Sequence, residues 1–280
     1  MLDKLIKHEF TALGRTLIVI HMVLVVVSLL TAGIGLLKPA GNFFSLLIVP
    51  AVTILYFVVV FGVGFITLFV VAQRFYTNLL GPEGYLMFTL PVSRRDLILA
   101  KFIPAMSWHM ISTVLSIASV VIVALAWTDT SILAYQLLSG INELFSLGEV
   151  STVLIVALIA LTFAGSANYI LMAYLSMALG QLANKGRIVL SVAIYFGIYM
   201  TLQFLGLIVV AIVALVAPAS ALEVQVVGGH AFTVIALAEP FDDQGLLALV
   251  LLGATALTLG ASVAYFFITE RLLDRRLNLL

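Results

Sequence analysis

The chain contains no cysteine, so disulfides, thiolate metal sites and thiol redox chemistry are all excluded. Charge is nearly as scarce. Asp, Glu, Lys and Arg together make up 9% of the residues, against about a quarter in a soluble globular domain. With 64% hydrophobic residues and a mean hydropathy of +1.26, a water-soluble fold is excluded. No GxxxxGK[ST] motif is present, so the chain does not itself cradle nucleotide phosphates in a P-loop. His8-Glu9 opens like an HExxH zinc site, but Ala12 stands where the second histidine must be. His21, His109 and His230 are scattered without a carboxylate or second histidine at ligand spacing, so packing or interfacial roles are expected and no metal site. Ser166 directly follows Gly165, which does not fit a GxS nucleophile. No catalytic residues are assigned, and an enzyme is not expected.

What the chain does have is long apolar runs. A bilayer core of about 30 Å needs roughly 20 helical residues. Six uncharged windows meet that length: Thr16 to Leu37, Phe43 to Ala72, Phe102 to Trp127, Val150 to Leu182, Ile188 to Leu222 and Gly245 to Thr269. The windows are continuously apolar, not alternating with period two, which predicts helices and not barrel strands. The expected fold is an all-α integral membrane protein, one domain of six transmembrane helices over residues 1–280. The first window is too long for a secretory signal and lacks a small-residue cleavage pattern, so it is expected to remain in the mature chain.

Orientation follows from the basic residues. In a six-span arrangement Lys4, Lys7, Arg15, Arg74, Arg94, Arg95, Lys101, Lys185, Arg187, Arg271, Arg275 and Arg276 fall on one side, and only Lys38 on the other. The basic side is expected to be cytoplasmic, with both termini. Asp129, Glu143, Glu149, Glu223, Glu239, Asp242 and Asp243 fall on the outer side. The formal net charge of zero thus conceals a polarised molecule, and no nucleic-acid partner is expected.

Residues 1–15 place Leu2, Leu5, Ile6, Phe10 and Leu13 on one helical face, away from Asp3, Lys4, Lys7, His8 and Thr11. This predicts an amphipathic interfacial helix on the inner leaflet, with Gly14 and Arg15 as its elbow into the first span. The outer loop from Thr128 to Gly148 carries an apolar stripe of Leu137, Leu138, Ile141, Leu144 and Phe145, expected to lie on the outer surface. The segment Ala217 to Gln244, with Pro218, Gly228, Gly229 and Pro240, is expected to be irregular. Small residues recur every four positions as Ala256, Gly260, Ala264 and as Ala193, Gly197, Thr201. Close helix contact is expected there, within the bundle or in a dimer. No charge lies within a predicted span, which disfavours ion-driven transport through buried carboxylates. Asn168, Gln203 and Gln181 are read as interhelical hydrogen-bonding groups.

The polar interruption from Gln73 to Lys101 is the most informative stretch. Gly81 and Pro82 stop one helix, Pro91 marks a second break, and Ser93 is placed to cap the helix led by Arg94, Arg95 and Asp96. Glu83 to Leu90 is predicted to form one short helix. With Tyr85, Met87 and Phe88 facing water, such a helix implies a covering partner, whose acids Arg94 and Arg95 would meet.

Glu83-Gly84-Tyr85, then Leu90-Pro91-Val92-Ser93-Arg94 and Lys101, resembles the first cytoplasmic loop of ABC-2 type permeases, the membrane subunits of bacterial ABC exporters. LIKHEFTALGR, LSMALGQLANKGRIVLS and IYFGIYMTLQF are similar to other parts of that family. Tyr85 departs from it, since many members have threonine after the glycine.

The resemblance implies a multi-pass permease of the bacterial plasma (inner) membrane. It would pair with a second copy or a related permease and couple to a separate ABC ATPase subunit. ATP and magnesium would bind that ATPase, with no cofactor on this chain. The coupling residues would be Glu83, Gly84, Tyr85, Met87, Phe88, Pro91, Ser93, Arg94 and Arg95. Spans two and five would line the path, which nominates Thr53, Thr67, Thr201 and Gln203. A secondary transporter or channel, and a membrane scaffold or sensor that moves nothing, are the alternatives.

Overall fold

A computed structural model of the chain describes residues 2–37, 43–81, 84, 87, 89, 91–127, 135, 139, 149–183, 185–216, 226–227, 230–231 and 244–275. Its helices are α1 (Leu2–Leu36), α2 (Phe43–Phe75), α3 (Arg94–Trp127), α4 (Glu149–Gly180), α5 (Arg187–Val216) and α6 (Gln244–Arg275). A π-helical turn, Tyr76–Leu80, extends α2. Val226–Val227 (β1) and His230–Ala231 (β2) form a two-residue antiparallel ladder, all that is described of the segment 217–243. Each of the six helices is long and apolar enough to cross a membrane. In such sequences the helix is the one conformation that satisfies every backbone group internally once water is gone.

The bundle is serpentine, and its partner residues show the directions. α1 and α3 run parallel, with Phe10 beside Trp108 and Thr31 beside Trp127, while α2 runs against them. The tightest pairings are α1 with α3 and α4 with α6. α4 also touches α2, α3 and α5. Large apolar side chains such as Phe61, Phe65, Leu207 and Leu257 point outward, as expected where lipid is the solvent.

α1 is one uninterrupted helix of 35 residues, so the separate interfacial helix and the elbow at Gly14 and Arg15 are corrected. At a rise of about 1.5 Å per residue the helix is about 52 Å long, well beyond a 30 Å core. The amphipathic face is only partly covered by protein: Leu13 is buried, Leu2, Leu5 and Ile6 are half-buried, and Phe10 is exposed. Leu13, Gly14 and Leu17 are buried, and the Trp108 ring lies where a Cβ on Gly14 would meet its Cζ2 at 3.0 Å. Trp108 Nε1–H donates to the Phe10 carbonyl at 3.3 Å. The same device recurs at the other end. A Cβ on Gly35 would stand 2.8 Å from Trp127 Cδ1, and Trp127 Nε1–H donates to the Thr31 carbonyl at 3.1 Å. In both cases the indole rests on a glycine and bonds the carbonyl four residues earlier, so α3 is registered on α1 at two heights.

Between these seats, His21 Nδ1 meets the Leu17 carbonyl and its Nε2 meets Ser112 Oγ, each at 2.6 Å, and Thr67 joins Ser112 at 3.2 Å. His21 is a buried bundle residue linking α1, α2 and α3, as a packing role requires.

The small-residue rows do not make the expected contacts within the bundle. Ala256, Gly260 and Ala264 are exposed on α6, as are Ala193, Gly197 and Thr201 on α5, and a Cβ on Gly260 or Gly197 would meet nothing within 4 Å. The buried face of α6 instead carries Thr255, Ser262 and Thr269, each returning its hydroxyl proton to a carbonyl four residues back. Asn168 does bridge helices, donating to the Thr258 carbonyl at 3.4 Å. Of the outer loop 128–148, Tyr135 and Ser139 are described, both exposed; the apolar stripe from Leu137 to Phe145 lies outside the described residues.

Candidate partner-coupling end of the bundle

The start of α1, the end of α2, the start of α3 and the end of α6 meet at one end of the bundle, beneath the loop that joins α2 to α3. α2 leaves through its π-helical turn, which closes when the Gly81 N–H donates to the Tyr76 carbonyl at 2.8 Å. Gly84 N–H then donates to Gly81 at 2.9 Å. A Cβ on Gly84 would lie 2.5 Å from the Leu79 carbonyl oxygen, and one on Gly81 would lie 2.8 Å from that of Thr77. The sequence needs glycine at both positions because backbone passes directly over backbone.

On the downstream side Ser93 Oγ accepts from the Asp96 N–H at 3.1 Å, the cap expected from the sequence. Arg95 pairs with Glu270 at 2.6 Å, its guanidinium 5.7 Å from the Phe267 ring centre. Arg94 reaches Asp274 at 3.5 Å. Both arginines therefore meet acids of α6 in the same chain, where acids on a partner were anticipated.

Beneath the loop is a charge cluster that the sequence reading missed. Glu9 of α1 is 2% exposed and Lys101 of α3 is 5% exposed. One carboxylate oxygen of Glu9 accepts from Lys101 Nζ; the other accepts from Arg74 Nε at 2.6 Å. Asn78 in the π-helical turn completes the set. With its amide oxygen turned toward Lys101 it accepts at 3.2 Å, and its nitrogen donates to the Arg74 carbonyl at 3.1 Å. Phe75 stacks on the fully buried Tyr174 of α4, with ring centres 3.9 Å apart and planes at 10°, sealing the apolar side.

A carboxylate held between two cations, with both oxygens engaged, is a fastener and not a reactive base. Burying these charges is costly, and their mutual pairing with an amide satisfying a further donor is what makes the arrangement tolerable. The three charges lie near one end of the long helices, just outside the uncharged windows of the sequence, with Glu9 and Lys101 buried and Arg74 half-buried. The available signal was spacing: Glu9 stands in the row Leu5, Glu9, Leu13, Leu17, four residues apart, so it shares the face that packs.

The remaining candidates are dispersed. Gly84 is buried, and Met87, expected to face water, is half-buried against the apolar core together with Val92. Pro91 and Ser93 are exposed, whereas Glu83, Tyr85 and Phe88 lie outside the described residues. Thr67 is sealed in the interior at 0% exposure, and half-buried Thr53 bonds its own Val49 carbonyl. Thr201 and Gln203 are exposed on α5, where Gln203 donates to the Tyr199 hydroxyl at 2.7 Å within the same helix. The four path candidates are not brought together in a common cavity within one chain. Gln181 Oε1 is 3.5 Å from Arg187, and its amide nitrogen is buried without a partner.

Comparison of the chain with protein-family models, with curated proteins and with solved structures finds no match.

Proposed function

We propose that this chain is the permease subunit of an ABC-2 type exporter, coupled through the loop between α2 and α3 to a separate ATPase. The supporting observation is mechanical. The loop stands on a base that fastens four of the six helices together: α1, α2 and α3 through Glu9, Arg74, Lys101 and Asn78, and α3 to α6 through Arg94 and Arg95. A push on such a loop moves helices as a unit, whereas a push on a loosely hung loop is lost in local bending. The rest of the proposal draws on the sequence resemblance: a bacterial inner-membrane location with cytoplasmic termini, a second permease subunit, and a path between the two. Transport then requires that ATP-driven closure favour one arrangement of the pair over another.

The test is co-purification. The tagged chain, extracted from membranes of its native host, should bring down an ABC ATPase whose hydrolysis it stimulates. Glu83→Arg, or Tyr85→Ala together with Phe88→Ala, should abolish the association while expression and insertion persist, since no helix of the bundle is altered. Equal recovery of the ATPase with both variants would overturn the loop's role, and recovery of no ATPase with the unaltered chain would overturn the function.

A further inference from the structure

A second site lies away from the loop. Between α2 and α4, with α3 at its back, is a cleft of about 480 Å³ lined by Phe61, Gly64, Phe65, His109, Thr162, Gly165, Ser166 and Tyr169. His109 is eight residues beyond Lys101 on α3, so the cleft lies about 12 Å along the bundle from the charge cluster. Its existence is due to two glycines. A Cβ on Gly64 of α2 or on Gly165 of α4 would meet nothing within 4 Å, so the two helices face open space where side chains would ordinarily interlock.

The volume falls within the range of small-molecule sites, and the lining is mixed as such sites are. Phe61 and Phe65, 75% and 65% exposed, form an aromatic lip on the outward side of the bundle. The polar groups are uncharged. Thr162 donates its hydroxyl proton to the Leu158 carbonyl and Ser166 donates its own to the Thr162 carbonyl, both at 2.8 Å. Their oxygens therefore present lone pairs, not protons, to an occupant. Ser166 is buried at 6% exposure, and the His109 ring lies 5.8 Å from that of Tyr169 at the back of the cleft.

We propose that this cleft binds an uncharged lipophilic molecule bearing an O–H or N–H donor, which enters sideways from the bilayer. An ionic head would find no counter-charge among the lining residues, and a plain hydrocarbon would leave the hydroxyl acceptors unused. The inference is independent of the coupling proposal and concerns α2, α3 and α4 whether or not an ATPase acts on the loop.

The experiment uses the purified full chain in lipid nanodiscs and a diazirine-bearing octanol as photoprobe, with adducts located by mass spectrometry. Saturable labelling of the peptides carrying Phe61, Phe65 and Tyr169 is expected. Octanol should compete about five- to tenfold better than octane, the difference one donor hydrogen bond makes. Gly165→Leu and Gly64→Leu, each filling the opening without a backbone clash, should each reduce the labelling about tenfold while the melting temperature stays at or above that of the parent. Equal competition by octane overturns the ligand class. Non-saturable labelling spread over the lipid face, no labelling, or labelling that persists in both leucine variants overturns the site.

Discussion

Glu9→Gln should be the most damaging single change in the charge cluster. The substitution is nearly isosteric, so the local packing survives, but the anion shared by Arg74 and Lys101 disappears. Two cations would then remain side by side, one of them in a site 5% exposed. Breaking a buried ion pair by removing one partner costs about 3–5 kcal/mol. Lys101→Met is milder, because Glu9 keeps its 2.6 Å bond to Arg74 and the pair left behind is neutral. The loss of one charge-assisted hydrogen bond puts that cost at about 1.5–3 kcal/mol. The double variant Glu9→Leu with Lys101→Met removes both fully buried charges and leaves Arg74, whose side chain is 26% exposed and can direct its head outward. It should therefore melt above Glu9→Gln. Thermal unfolding of the detergent-purified protein, followed by the fluorescence of Trp108 and Trp127, gives the order: parent, Lys101→Met, double variant, Glu9→Gln. Additivity is the refuting result. If the double variant falls by the sum of the shifts of Glu9→Leu and Lys101→Met measured singly, the charges are not coupled and the cluster is not a fastener.

Gly35→Ala should destabilise by about 1–3 kcal/mol, because the new methyl would sit 2.8 Å from the Trp127 ring and displace its bond to Thr31; an unchanged melting temperature would show that the indole is not seated there. Gly260→Leu should leave the stability of the single chain unchanged, since its Cβ meets only open space, and a clear drop in melting temperature would place that face of α6 inside a contact. Single cysteines introduced into this cysteine-free chain at Ser139 and at Thr77 test the orientation implied by the basic residues. An impermeant maleimide applied to intact cells should label the first and spare the second, and the reverse pattern would invert the topology.

The number of spanning helices and their approximate positions were legible in the sequence because the bilayer imposes a length and forbids unpaired backbone, so an uninterrupted apolar run has one available structure. The cap at Ser93 and the breaks around the loop were legible for a similar local reason: a side-chain oxygen or a glycine acts on backbone within a few residues of itself. The facing of each helix was not legible. Along α5 nearly every position is apolar, so periodicity carries little information about which side meets protein and which meets lipid. The rows at Gly197 and Gly260 show that a close approach is possible without saying what approaches. For the same reason Gly14 and Gly35 gave no sign of being seats for Trp108 and Trp127, which lie more than ninety residues further along the chain. Residues 1–15 had the composition of a helix lying on a membrane, yet they are continuous with the first span, and tertiary packing buried Leu13 and Gly14 while leaving Phe10 exposed. Glu9 shows the limit most clearly. Its position in a row of leucines was visible in the sequence, but a lone carboxylate on an apolar face is tolerable only when cations meet it, and bringing Arg74 and Lys101 there depended on how three helices pack.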